Sequence, residues 1–321
     1  MIRKMINEDA HVYIYGAGER GLLCRDYFRK NAVSVDAFII SDSQEKGRIS
    51  GTDILYLSEI SCLNIMVFVA VDSKYWGDIQ CAINKRFGIK EQEKFYFITD
   101  DDYLYIYREL YPINYTRFLD VSDPAGPLMG CDRGTSISRY YIKKYLDQEW
   151  KNATSVYTVY EVGENRYSKQ YYPNASHEIL DYTKGEDLTD LSTLPKEGFD
   201  VFLCTQVFNF IYNVKAAIQG AYYVLRPGGV LLATVAGNIS QISKSDMKNY
   251  GDYWRFTFLS IKLLVSEVFG EENVSVFPYG NAMSTTAYIQ GMCVEDLPHP
   301  ELLDDVDPEY ALVIGVTAKR V

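Results

Sequence analysis

Two strand-length runs in this chain lead through glycine into the start of an α/β unit. The first is His11-Val12-Tyr13-Ile14-Tyr15 followed by Gly16-Ala17-Gly18-Glu19-Arg20-Gly21, and the second closes on Glu161-Val162-Gly163. Glycine is the residue that lets a strand turn sharply into a helix without a Cβ clash, so each site reads as the start of a βαβ unit. More strand-length apolar runs follow the first, at 35–40, 65–71 and 95–98. Others follow the second at 199–204 and 230–235, and Ser176–Leu180 reads as a short strand ending at Asp181. Helical spacing fills the gaps, with apolar residues at Leu22, Leu23, Tyr27 and Phe28 and helices expected over 75–87, 214–223 and 259–269. Strands alternating with helices pair in parallel through right-handed crossovers.

The fold expected is therefore α/β, with two tandem Rossmann-like parallel-sheet domains over 1–112 and 131–321. Between them, 113–130 forms a linker around Asp123-Pro124-Ala125-Gly126-Pro127. Tyr222-Tyr223-Val224-Leu225-Arg226-Pro227-Gly228-Gly229, leading into Val230-Leu231-Leu232-Ala233-Thr234-Val235, reads as helix end, tight turn and buried strand. Strands are also expected at 156–162, 274–278 and 312–317, with Thr257 or Ser260 capping the helix at 259–269 and Asp100-Asp101-Asp102 at another helix start.

A formal net charge of −11 over 321 residues denies the chain the counterion-release energy that phosphate backbones offer, which argues against nucleic acid as a partner. The six cysteines are scattered without a C-x-x-C pair and suit reduced thiols in a cytoplasm. Three distant histidines argue against a metal site. No apolar run reaches membrane-spanning length, and no signal-peptide pattern opens the chain. The oligomeric state is not legible.

Gly16, Gly18 and Gly21 have the spacing of a dinucleotide-binding turn, and Asp42 ends the next strand where an acid accepts ribose hydroxyls. Together with Phe38-Ile39-Ile40-Ser41-Asp42 and Val67-Phe68-Val69-Ala70-Val71, this unit resembles the N-terminal domain of bacterial sugar acyltransferases over residues 10–99. That resemblance implies a nucleotide-sugar ligand. A turn kept for packing alone, or a nicotinamide site, are the competing readings.

The order of Glu161-Val162-Gly163, the strand at 199–204 and the Pro-Gly-Gly turn resembles class I S-adenosylmethionine (SAM)-dependent methyltransferases. Asp132-Arg133-Gly134-Thr135 and Asp252-Tyr253-Trp254-Arg255-Phe256-Thr257 are similar to methyltransferase-domain proteins of surface-glycan (polysaccharide) biosynthesis. The resemblance implies that Glu161, Gly163 and Asn165 carry the methionine end of SAM, although Asn165 and Tyr167 stand where the family has its second and third glycines. It implies Asp181 on the ribose, Asp187 and Leu188 on the adenine, and Thr205 and Gln206 beside the sulfonium. The stretch from Asp181 to Asp187 is short for the family's third strand.

For the acceptor, Asp132, Asp252 and Tyr253 are the candidate catalytic groups. Arg133 and Arg255 offer planar forks for a phosphate or carboxylate, Trp254 a stacking face for a sugar, and Asn209 a polar contact in the loop after the strand. The function expected is SAM-dependent methylation of a sugar, nucleotide-sugar or glycan intermediate. The alternatives are a non-catalytic methyltransferase-like scaffold and a nicotinamide-dependent oxidoreductase built on Gly16–Gly21.

Overall fold

The computed structural model describes residues 10–41, 48–49, 51–61, 64–88, 93–114 and 122–321. It divides into two compact units, Met1–Arg117 and Phe118–Val321.

The first unit runs β1 (His11–Tyr15), α1 (Glu19–Lys30), β2 (Ala37–Ile40), β3 (Arg48–Ile49), β4 (Thr52–Tyr56), β5 (Ile65–Val69), α2 (Trp76–Phe87), β6 (Phe95–Phe97) and α3 (Asp100–Leu110). Its sheet has the order β3-β4-β2-β1-β5-β6, and all pairs are parallel except the β3–β4 hairpin. That hairpin was not expected; Ile54 is the one buried residue of β4, so the sequence carries little alternation there. The strand order reverses at β1, which puts the carboxyl end of β1 at the topological switch point where such sheets take ligands. Thr99, not an aspartate, caps α3: its hydroxyl accepts from the Asp102 N–H, and Asp102 accepts from the Thr99 N–H.

The second unit runs α4 (Ile137–Glu149), β7 (Thr158–Val162), α5 (Arg166–Tyr171), β8 (Ser176–Leu180), β9 (Phe199–Thr205), α6 (Val214–Val224), β10 (Leu225–Ala236), α7 (Lys244–Asn249), α8 (Phe258–Phe269), β11 (Val274–Tyr279), α9 (Ala282–Ile289) and β12 (Val313–Lys319). The sheet order is β11-β12-β10-β9-β7-β8. β8, β7, β9 and β10 are parallel; β12 runs antiparallel between β10 and β11. Between β8 and β9 the chain makes only the short turns Tyr182–Lys184 and Leu191–Thr193, so no third strand forms there. Thr257 caps α8 and Ser260 reciprocates.

The Pro-Gly-Gly stretch differs from its sequence reading. Leu225 already pairs with Phe199 and Val230 with Val201, so residues 226–229 bulge out of one strand instead of separating helix from strand. Gly228, at φ +83°, donates its N–H to the Arg320 carbonyl, and the Arg320 guanidinium donates to the carbonyls of Tyr222, Tyr223 and Leu225 at the end of α6. A cation on those last carbonyls satisfies them and meets the negative end of the helix dipole.

Candidate functional site

The site of the second unit is built from the carboxyl end of β7 upward. Gly163 sits at φ +79°, and a Cβ placed on it would meet nothing within 4 Å. Its glycine is therefore required by backbone conformation and leaves open space above the turn. Glu161 is 2% exposed, and its carboxylate accepts from the N–H groups of Tyr167 (3.1 Å) and Ser168 (2.8 Å) at the start of α5. Burial raises its pKa against those donors.

The two missing glycines now have a physical explanation. Asn165 caps α5 at φ −113° and does not use the left-handed region, and Tyr167 lies inside that helix, 5% exposed. The helix starts early enough that neither position needs glycine. The Tyr167 hydroxyl accepts from Arg139 Nη1 at 3.1 Å, which ties α5 to α4.

A cavity of about 500 Å³ opens over the carboxyl ends of β7, β9 and β10. Of the residues expected from sequence, Glu161, Gly163, Thr205, Gln206, Asn209, Asp252 and Arg255 line it. Gln206 holds φ +58°, uncommon for a residue with a side chain, and its N–H donates to the Thr234 carbonyl at 2.7 Å. Asn209 is 2% exposed; its carbonyl accepts from Tyr253 and Trp254 N–H, while its side-chain Oδ1 has no hydrogen-bond partner.

Other expected residues stand outside that lining. Asp181 Oδ1 accepts from the hydroxyl (2.6 Å) and N–H (3.0 Å) of Thr183, with Lys184 Nζ 3.3 Å from Oδ2; the Thr183 hydroxyl leads in holding this carboxyl below its ordinary value. Asp187 Oδ1 accepts from the Thr189 N–H and hydroxyl, both at 2.8 Å, and Leu188 is buried with its carbonyl against Gly220. Asp132 has both carboxylate oxygens enclosed without a hydrogen-bond partner.

Several of the acceptor candidates are engaged within the chain. Arg133 is 2% exposed and forks onto Asp296 at 2.7 and 2.9 Å. Beside it, the Thr135 N–H and hydroxyl both donate to Glu295, fastening residues 133–135 to 293–296. Arg255 forks onto Asp252 at 2.6 and 2.8 Å and donates to the carbonyls of Ser240, Gln241 and Trp254. With both carboxylate oxygens so engaged, Asp252 is no free proton acceptor, and the pair instead holds the 240–255 wall of the cavity. Tyr253 and Trp254 are exposed; the Trp254 indole N–H donates to the Ile211 and Tyr212 carbonyls and its ring stacks on Tyr212.

Sequence reasoning missed Arg139, Ser240, Gln241, Ser243 and Asp246, all in the lining. Ser136 at the N-cap of α4, and Arg139 and Ile142 within it, recur every three residues, which is the signal that marks Arg139. In the first unit, a Cβ on Gly21 would lie 1.9 Å from the Gly16 carbonyl oxygen and one on Gly16 2.6 Å from Val71, whereas Gly18 faces open space. Asp42 lies outside the described residues.

Residues 143–233 match the family model described as a methyltransferase domain. This chain carries a methyltransferase domain. No curated protein matches the sequence significantly. Solved structures similar to the chain include a SAM-dependent methyltransferase, possibly a histamine N-methyltransferase, from Thermotoga maritima (15% identity, covering 58% of this chain and 91% of that one, TM-score 0.35). Others are a SAM-dependent methyltransferase from Archaeoglobus fulgidus (11%, 57% and 94%, TM-score 0.38) and the N-methyltransferase NodS from Bradyrhizobium japonicum (12%, 58% and 88%, TM-score 0.36). The methyltransferase domain lies wholly within the second unit, and Gly163, Thr205 and Gln206 belong to the matched segment. No helix among the described residues is long and apolar enough to cross a membrane, and no metal-ligating cluster occurs among them.

Proposed function

We propose that this domain is catalytic and methylates a sugar, nucleotide-sugar or glycan intermediate with SAM as donor. The observation that carries the reading is Gly163: a left-handed glycine with open space over it, at the floor of a cavity on the carboxyl edge of a parallel sheet. The residues present fit the methionine end of SAM. Gly163 lets a ligand approach the backbone, and the Arg139 guanidinium retains donors for a carboxylate beyond its bond to Tyr167. Asp181 would take the ribose and the turn at Asp187–Leu188 the adenine, which requires the Asp181 carboxylate to turn from Thr183 and Lys184. When bound, SAM supplies a methyl carbon activated by a sulfonium. The chain's own contribution is alignment and exclusion of water: Glu161 fixes α5, Gln206 fixes the β9 edge, and the Asp252–Arg255 pair fixes the wall facing the acceptor.

For the first unit we propose a nucleotide or nucleotide-sugar at the β1–α1 turn. Packing accounts for Gly16 and Gly21 but not for Gly18, which begins α1 with no side-chain cap and open space above it.

Calorimetry of the full chain with SAM and with its demethylated product, S-adenosylhomocysteine (SAH), tests the main reading. Binding of both, weakened at least about tenfold by Asp181→Ala, is the expected result. Absence of heat with either ligand would sink catalysis and leave a methyltransferase-shaped scaffold.

A further inference from the structure

The acceptor half of the cavity contains no uncommitted cation among the described residues. Arg255 is consumed by Asp252 and three carbonyls, and Arg139 reaches toward Tyr167 on the side of the Gly163 turn. The acids outnumber them: Glu161, Glu164, Asp246 and Asp252 all line the space. Glu161 meets backbone N–H groups and Asp246 meets the Ser243 hydroxyl, so neither charge is neutralised by a cation among the described residues. A phosphate or carboxylate entering here would face net negative charge with no fork to hold it.

Asn209 supplies the second observation. The residue lines the cavity, is 2% exposed, and leaves Oδ1 without a hydrogen-bond donor. An enclosed carbonyl oxygen in that state costs free energy until a donor arrives. Third, no histidine lines the cavity and both oxygens of Asp252 are taken by Arg255, so neither serves an alcohol as general base. An amine needs no such base, because its neutral form already presents a lone pair.

We infer that the acceptor is an amine, bound through an N–H donated to Asn209 Oδ1 in a cavity whose uncommitted charge is negative. The inference rests on the methyl-transfer reading above and narrows it to intermediates that bring an amino group, not a phosphate or carboxylate, to this site. In the step itself the nitrogen lone pair forms the new N–C bond, the S–C bond breaks with its electron pair staying on sulfur, and the N–H proton leaves to water. Negative surroundings favour the ammonium before reaction and the charged nitrogen after it, so the rate rises with pH as the bound amine deprotonates.

The test titrates the full chain, with and without saturating SAH, using matched probes: glucosamine against glucose and glucose 6-phosphate, galactosamine against galactose, and putrescine against 1,4-butanediol. The expected result is that at least one amine binds about tenfold or more tightly than its hydroxyl partner, and that Asn209→Leu removes the preference while SAH still binds. Asn209→Asp should keep amine binding and move the pH midpoint of methyl transfer upward by about one unit, since a carboxylate there holds the ammonium form. Both variants retain the backbone carbonyl that holds Tyr253 and Trp254. Preference for a hydroxyl or phosphate probe, or refusal of every amine by SAH-saturated protein, overturns the amine assignment. Failure of SAH to bind overturns the methyl-transfer reading instead, and the titrations without SAH still read the amine preference.

Discussion

The two glycine turns of this chain look alike in sequence and differ in what surrounds them. In the first unit the fold leaves no room at Gly16, which also sits at φ +105°, or at Gly21: Cβ atoms there would strike Val71, the Ala70 carbonyl and, at 1.9 Å, the Gly16 carbonyl. In the second, Gly163 has room to spare and is glycine for its φ of +79°. A glycine demanded by packing tells of helix-to-strand closeness. One demanded by conformation alone, over an empty cradle, leaves space for a ligand. The second turn also lies within walls contributed by distant segments, pinned through Arg133–Asp296 and Arg255–Asp252.

The sharpest test of those walls is Arg133→Met, which leaves the Asp296 charge buried and should destabilise the second unit by about 3–5 kcal/mol. Urea unfolding should show that loss in one of two transitions, and Arg133→Met with Asp296→Leu should recover much of it. The same pair sets an acid response. Burial pushes the Asp296 carboxyl up, but hydrogen bonds from Arg133 and Cys293 outweigh it and hold the folded pKa below the ordinary value. Stability from this group is therefore complete above the unfolded pKa of about 3.9 and drains away as pH falls through the folded value. A melting-temperature series across that window should fall more steeply for wild type than for Asp296→Asn.

Gly21→Ala should cost about 3 kcal/mol, because the Gly16 carbonyl is backbone and cannot give way. Gly163→Ala should cost only about 1–2 kcal/mol from the left-handed backbone, yet lower SAH affinity out of proportion to that loss. Equal destabilisation by the two substitutions would erase the contrast drawn between the turns. The smallest effect belongs to Gly18→Ala, within about 0.5 kcal/mol because nothing crowds it. A nucleotide that stabilises wild type in a thermal shift but not this variant would show that the first turn also takes a ligand.

Much of the second unit was legible because its signals are local. The apolar run at β9, the span of α6 and the Thr257 cap all follow from residues within a turn or two of each other. The hairpin of β3 and β4 was not, since its one buried residue leaves no period to read. Residue type alone also says nothing of pairing: Arg133, Arg255 and Asp252 have the chemistry of ligand groups, and only the three-dimensional structure shows Arg133 on Asp296 and Arg255 on Asp252.

By itself the sequence determined the alternation of strands and helices, the two glycine turns, and hence a sheet whose carboxyl edge takes ligands; these depend on backbone sterics and burial over short spans. Only the tertiary structure decided which polar groups remain free at that edge. Arg133 meets Asp296 across 163 residues of chain, α5 absorbs the positions of two absent glycines, and Asn209 is left with an oxygen unpaired. A charge is a candidate for binding until the folded chain brings its counter-charge within reach, and no short-range pattern records which charges those will be.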